Sequence, residues 1–317
     1  MDQTIRIALP DGYRSDDVLA FHARDTEALA EQVSGQRIRK GVVLDGLAVL
    51  LDIDLDAKRN LTKRKLTEAV CRISIDGAPT AALPRQLDLA LRGMLGLRID
   101  PAPFHAAVAD DRLLGPLAAR QRQLRVVQSA SVFEALTWAI IGQQINLPFA
   151  IALRRSFIEQ AGRRHSSGLW CYPQAADVAR LDPQQLTTRK FSRAKTDTLL
   201  RLAALVDSGA LLLDDDDLER AGAALLAVKG IGPWTVNYTL LRGYAYADCS
   251  LHGDVAIRAA FQRLLGEGTK PDIARTETLL AAYRPHRTMA AAHLWASLAP
   301  VSAPAAAITE TKSANSA

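Results

Sequence analysis

Leu225-Leu226-Ala227-Val228-Lys229-Gly230-Ile231-Gly232-Pro233-Trp234-Thr235-Val236-Asn237-Tyr238 reads as two helices joined by a tight turn. The first helix ends at Val228, and Pro233 opens the second, where its missing N–H costs nothing and its fixed φ suits a first helical turn. Glycines at 230 and 232 allow positive φ and remove side chains that would block an approaching backbone. The amides of the turn then point outward and form an anion site suited to a phosphate. Ile231 is placed to plug the angle between the two helices. Taken alone, Gly-x-Gly is more often an ordinary connection between helices.

The surroundings change that balance. Trp234 and Tyr238 stand four residues apart and share one helix face. Sixteen residues after Tyr238, and 22 after Gly232, comes Asp254 in Leu251-His252-Gly253-Asp254-Val255-Ala256-Ile257-Arg258. Asp254 sits where a helix begins, so its plainest role is an N-cap. A helix start also favours negative charge, so the cap and an ionised functional carboxylate are compatible roles. His252 reads as a turn residue rather than a base.

Outward from this stretch, helical spacing dominates residues 96–300, which are expected to form an all-α domain. Ser131 and Glu134 make a capping-box pattern for a helix through Ile141, Gly142 interrupts it, and Asn146 with Pro148 starts another that Gly162 ends. Further helices are expected over 174–179, 183–188, 193–208, 217–228, 233–243, 254–265, 272–283 and 288–298. The acidic run Asp214 to Asp217 favours the start of the helix that follows it. Trp138, Trp170 and Trp295 read as core or helix-packing residues, and Lys190, Arg193 and Lys195 as a solvated helix end or a phosphate track. The Ala/Ser/Thr-rich tail, 301–317, is expected to be disordered.

Residues 1–95 read as an α+β domain with an antiparallel sheet. Gln3 to Leu9 alternates like a strand. Arg37 to Leu44 and Leu47 to Leu55 are joined at Asp45-Gly46, a dipeptide suited to a hairpin turn. Leu47, Val49, Leu51, Ile53 and Leu55 share one face by period two. Leu66 to Ile75 predicts another strand, and Ser15 to Gln32 and Pro84 to Leu95 predict helices.

Composition narrows the classes. At 317 residues the chain is long enough for about two domains, at roughly 150 residues each. Hydrophobic residues make up 49% and charged residues 23%, which are globular proportions. Cys71, Cys171 and Cys249 lie far apart without metal-ligand spacing, arguing against a zinc site, an iron–sulfur cluster or a disulfide framework. No apolar run reaches the ~18 residues of a membrane span, and the N-terminus does not read as a signal peptide. A cytoplasmic protein is expected. The 39 basic residues exceed the 34 acidic ones, giving a net charge of +5 and a mild hint of a polyanionic partner. No triphosphate loop, metal-binding histidine pair or serine-hydrolase elbow is present.

The hairpin followed at a distance by an aspartate resembles the DNA-3-methyladenine glycosylase II family, within the helix-hairpin-helix DNA glycosylase superfamily. The similarity extends through Val132-Phe133-Glu134-Ala135, Ile140-Ile141-Gly142-Gln143-Gln144-Ile145 and Ser192-Arg193-Ala194-Lys195. It continues in Asn237-Tyr238-Thr239-Leu240-Leu241-Arg242-Gly243, Tyr283-Arg284-Pro285-His286-Arg287 and His293-Leu294-Trp295. The resemblance implies a TATA-binding-protein-like sheet in the N-terminal domain and a site in a cleft of the helical domain. By position it makes Asp254 the catalytic carboxylate and Trp234, Tyr238 and His286 the base pocket. It makes Gly230, Ile231, Gly232 and Trp234 the phosphate-binding hairpin, with a monovalent cation at its carbonyls and neither a catalytic metal nor an organic cofactor. It places Gln143 and Gln144 in the wedge loop that fills the gap left by a flipped nucleotide. Three positions depart from some members: Gln144 stands where a leucine occurs, His286 where a tryptophan occurs, and Val255 where an aromatic occurs.

The implied reaction is excision of alkylated purines, of the 3-methyladenine and 7-methylguanine class, from double-stranded DNA in base excision repair by a nucleoid-associated monomer. An N3- or N7-alkylated purine is already cationic and leaves as a neutral base. One carboxylate therefore suffices where ordinary glycoside hydrolysis uses two. The expected enzyme is monofunctional, because Trp234 stands where lyase members carry a lysine. The rival readings are a non-catalytic helix-hairpin-helix DNA-binding protein and a glycosylase for an oxidised or mismatched base.

Overall fold

The computed structural model describes residues 2–56, 59–60, 65–214 and 217–298. The chain begins with β1 (Asp2–Ala8), α1 (Ser15–His22), β2 (Glu31–Ser34), β3 (Arg37–Leu44) and β4 (Leu47–Asp54). A small separate ribbon of β5 (Arg59–Asn60) and β6 (Lys65–Leu66) precedes β7 (Glu68–Asp76) and the helix α2 (Leu83–Met94). Asp45 and Gly46 both take positive φ, +51° and +77°, the turn whose twist matches the flanking strands. It sets the register Leu44 opposite Leu47 and Val42 opposite Val49.

Helices then follow: α3 (Ala102–Ala107), α4 (Gly115–Arg120), α5 (Val132–Gly142) and α6 (Leu147–Ala161). Strands β8 (Arg163–Arg164) and β9 (Trp170–Tyr172) interrupt them, before α7 (Ala175–Val178), α8 (Pro183–Thr187), α9 (Arg193–Asp207) and α10 (Leu218–Leu226). After α11 (Pro233–Thr239) the chain widens into a π turn over Leu240–Tyr244. The last helices are α12 (Val255–Leu265), α13 (Ile273–Ala281) and α14 (Arg287–Ser297). Asn146, Ser192, Asp217 and Asp272 cap their helices through side-chain oxygens. The tail 301–317, and 215–216 within the acidic run, lie outside the described residues.

Three expectations need correction. The sheet is mixed: its order is β1-β7-β4-β3-β9-β8, β2 also pairs with β3, and the β3–β9 pairing is parallel. Residues 96–300 are therefore not all-α, because β8 and β9 extend the N-terminal sheet. Gly41 makes the approach possible, since a Cβ there would lie 2.2 Å from the Trp170 carbonyl oxygen. The helix expected over Ser15 to Gln32 stops at His22, and Glu31–Ser34 is a strand on β3. The shared face expected on β4 is present, and the opposite face is covered as well. Val49, Leu51 and Ile53 join the core under α1 and α2, and Ala48 packs with Val43 and Cys171.

Glu31 explains the strand at Glu31–Ser34. Its carboxylate accepts from Lys40 Nζ at 2.7 Å and from Arg154 at 3.0 Å, and lies 3.0 Å from His22 Nδ1. Glu134 Oε1 accepts from the same Lys40 at 2.7 Å and from Arg154 at 2.9 Å. The Ser131 half of the expected capping box is present, for Ser131 Oγ accepts from the Glu134 amide. The Glu134 carboxylate instead accepts from the Ala130 amide and joins this buried cluster. Burial alone would raise the Glu31 carboxyl, but Lys40, Arg154 and His22 outweigh it and hold it well below the usual carboxylate range. The cluster ties β2 and β3 to α5 and α6, and so ties the sheet to the helices that carry the site.

Candidate functional site

The hairpin runs from the end of α10 to the start of α11. Gly230 has φ +98°, and a Cβ there would meet Thr198 Oγ1 at 2.1 Å, so geometry and space both demand glycine. Ile231 is buried in the helical core, as the plug between the helices should be. Gly232 differs: an added Cβ meets nothing within 4 Å. Among the described residues, the amides of Gly230 and Gly232 have no acceptor. The turn thus presents open backbone N–H groups beside open space.

Asp254 caps α12, its Oδ1 accepting from the amides of Ala256 at 2.9 Å and Ile257 at 3.0 Å. Two indoles complete its shell: Trp295 Nε1 donates to Oδ1 at 3.2 Å and Trp234 Nε1 to Oδ2 at 2.9 Å. Asn237 holds the approach to this cap, accepting from the Ser250 amide at 3.0 Å and donating to the Pro233 carbonyl at 3.0 Å. His252 Nδ1 lies 2.9 Å from Ser250 Oγ within the turn.

Trp234 and Tyr238 stack with centroids 5.1 Å apart and planes 30° apart. Tyr238 packs on Trp295 at 6.4 Å, and its hydroxyl accepts from Trp138 Nε1 at 3.0 Å. Phe21 reaches this nest from α1, joined to it by Arg242 and Arg24. Trp295 and Trp138 pack against the helical core as the sequence predicts, and in addition Trp295 donates to the Asp254 carboxylate and Trp138 to the Tyr238 hydroxyl. Sequence reasoning did not single out Phe21, Arg24, Arg242 or Asn237 as separate site residues. Trp295 lies 41 residues from Asp254, and no local period marks such a partner.

Gln143 and Gln144 part company. Gln143 Nε2 donates to the Gly230 carbonyl at 3.2 Å and to Thr235 Oγ1 at 2.9 Å, locking this loop to the hairpin. Gln144 is exposed with φ +56° at the loop tip. Lys195 Nζ donates to the Ile141 carbonyl at 2.7 Å, and burial lowers its pKa, so its ammonium closes the end of α5. His286 is half-buried at the start of α14. Among the described residues no hydrogen bond or ring contact joins it to Trp234, Tyr238 or Asp254.

The arrangement combines an oriented carboxylate, a cluster of aromatic rings and a hairpin of open amides. The chain is similar to several known proteins. A DNA-3-methyladenine glycosylase of Bacillus subtilis is 25% identical over 302 residues, spanning 93% of this chain and 97% of that protein. DNA-3-methyladenine glycosylase 2 of Escherichia coli is 30% identical over 185 residues, 57% of this chain and 63% of that protein. The 3-methyladenine DNA-glycosylase from Archaeoglobus fulgidus has the same fold. Its structure matches with a TM-score of 0.75 at 21% identity, over 92% of this chain and 97% of that one. Residues 137–285 match the family described as HhH-GPD superfamily base excision DNA repair protein.

Proposed function

We propose that the protein is a monofunctional DNA glycosylase that flips alkylated purines out of double-stranded DNA and hydrolyses their N-glycosidic bond. The observation that carries this is the shell around Asp254. Oδ1 is engaged by two amides and one indole, while Oδ2 accepts only from Trp234 among the described residues. A carboxylate oxygen has about two acceptor sites, so Oδ2 is the atom left to face a developing sugar cation and to orient water. Flipping costs a few kcal/mol, and stacking on an aromatic recovers about 1–3 kcal/mol per base. Trp234, half-buried and backed by the buried Tyr238 ring, is the residue placed to supply that stacking. The hairpin amides grip phosphate, and Gln144 is the wedge, because Gln143 is already committed to the hairpin.

No lysine side chain hydrogen-bonds or ion-pairs with Trp234, Tyr238 or Asp254 among the described residues, so the reading favours water as nucleophile and an intact abasic strand as product. A monovalent cation fits the hairpin chemically. The carbonyls of Val228, Lys229 and Gly230 each accept one hydrogen bond and keep a second lone pair. Such an ion would rigidify the turn. His286 is retained as a lining residue of the pocket mouth. The N-terminal sheet is read as TATA-binding-protein-like, and the enzyme as a nucleoid-associated monomer.

The test is base release. Purified protein incubated with methylated duplex DNA should liberate 3-methyladenine and 7-methylguanine, resolved by chromatography, without nicking the strand. Borohydride should trap no covalent adduct. Absence of any released base overturns the proposal, and efficient trapping overturns its monofunctional part.

A further inference from the structure

The aromatic nest beside Asp254 already contains cations. Arg242 Cζ lies 4.9 Å from the Phe21 ring centroid, 5.3 Å from that of Trp295 and 5.9 Å from that of Tyr238. A second guanidinium, Arg24, sits 3.7 Å from the same Phe21 ring and 5.7 Å from Trp138. Neither forms an ion pair among the described residues. Arg24 donates to the Phe21 carbonyl and Arg242 to the Val127 carbonyl. Arg242 Nε is buried without any partner, so its charge is offset largely by aromatic faces. Burial, and then the neighbouring Arg242, push the Arg24 pKa down despite the opposing pull of Tyr238.

An aromatic ring attracts a cation through its quadrupole within about 6 Å. On Tyr238 and Trp295 that attraction is already used by Arg242. A cationic base stacked against Trp295 brings a second positive charge to a ring that already faces a fixed guanidinium, in a site from which the base has displaced screening water. A neutral purine gains the same stacking without that repulsion. Asp254 supplies a negative charge at the Trp234 and Trp295 N–H groups and Glu31 pulls on Arg24, whereas Arg242 has no anionic partner among the described residues.

We infer that Arg242 is a specificity-determining residue that selects lesions by charge, weakening the binding of cationic N3- and N7-methylpurines relative to neutral lesions such as hypoxanthine. The inference rests on the glycosylase reading above. It acts at binding: a cationic base, once bound, still leaves without protonation.

The experiment measures affinity by fluorescence anisotropy for two duplexes carrying 2′-fluoro nucleotides, one with 7-methylguanine and one with hypoxanthine. Wild type is compared with Arg242→Met and Arg242→Lys, with folding checked by circular dichroism. Arg242→Met should shift the affinity ratio toward 7-methylguanine by about tenfold, the scale of one partly desolvated charge contact, and Arg242→Lys should keep the wild-type ratio. Equal loss on both duplexes, or a shift toward hypoxanthine, overturns the inference. If Arg242→Met does not fold, Arg24→Met removes the second cation and should shift the ratio the same way; an unchanged ratio there overturns it. The 2′-fluoro sugars resist hydrolysis, so the ratio is read independently of turnover. A shifted ratio together with no base release from ordinary lesion DNA would reject the glycosylase reading and leave charge selection supported.

Discussion

Trp234 Nε1 donates to Asp254 Oδ2 at 2.9 Å across 20 residues of chain, so one ring of the aromatic cluster and the carboxylate beside it form one unit. The indole ring faces Tyr238 while its N–H aims the carboxylate. A substitution at either residue therefore changes both stacking geometry and charge placement.

Asp254→Asn keeps an oxygen for the Ala256 and Ile257 amides but turns an amide donor toward the Trp234 N–H. Single-turnover base release should fall at least about a hundredfold, equivalent to about 2.7 kcal/mol of transition-state stabilisation. Affinity for lesion DNA should hold or rise slightly. Near-normal turnover would remove Asp254 from the chemistry.

Trp295→Phe preserves a ring against Tyr238 and deletes the donor to Asp254 Oδ1. A hydrogen bond to a charged group is worth about 1.5–3 kcal/mol, so the release rate should drop about ten- to a hundredfold. Binding of undamaged duplex should not change. An unaltered rate would show that the two cap amides suffice to orient the carboxylate.

Gly230 and Gly232 should behave oppositely. Gly230→Ala drives a Cβ into Thr198 at positive φ, and thermal unfolding should show clear destabilisation. Gly232→Val projects into open space, so the melting temperature should hold while DNA binding weakens. That loss should be equal for damaged and undamaged duplex, because phosphate contacts carry no base information. Lesion-selective loss in Gly232→Val would argue against a phosphate role.

Lys40→Met removes a buried ammonium that two carboxylates share. Breaking such a network costs about 3–5 kcal/mol, measurable by urea denaturation. The double variant Lys40→Met/Glu134→Gln should recover part of the loss by removing one uncompensated charge. No recovery would mean that Arg154 alone neutralises Glu134.

His293 gives the stability a pH dependence. Burial, then the nearby His105 and Arg14, push its imidazole pKa down to about 3. The unfolded chain protonates this group near about 6.5. Between those values the unfolded state binds the extra proton, so stability falls as pH drops below about 6.5. The Glu31 contribution starts to fall as pH drops through the ordinary carboxylate range, where the unfolded chain takes up protons, and is fully lost only below its depressed folded-state pKa. Melting temperature should be level near neutrality and decline through about pH 6 to 4, with a shallower decline in His293→Phe. Identical slopes in the two proteins would contradict this assignment.

Local chemistry made much of this molecule legible in advance. Asp45-Gly46 sets a hairpin because both residues must take positive φ. Ser131, Asn146 and Asp254 mark helix starts because each oxygen satisfies amides within three residues of itself. Gly230-Ile231-Gly232 marks the turn because one glycine has no room for a side chain and the other leaves space beside its backbone. All of these depend on neighbours along the chain, which a sequence displays directly.

What lay beyond the sequence were the partners brought together by packing. Glu134 looked like half of a local cap, but its carboxylate lies against Lys40, 94 residues away. Trp170-Cys171-Tyr172 is a short segment without a long period, and it becomes a strand only because Gly41 lets it approach β3. Trp295 resembled an ordinary packing residue until its N–H was found on Asp254, and Arg242 acquires its role only where Phe21, Tyr238 and Trp295 converge. The sequence by itself determined the turns and the caps, that of Asp254 among them, because short-range hydrogen bonding and sterics dictate them. Only the tertiary structure decided which indoles hold that carboxylate and which cations share its aromatic walls, because those contacts join segments whose separation follows no local period.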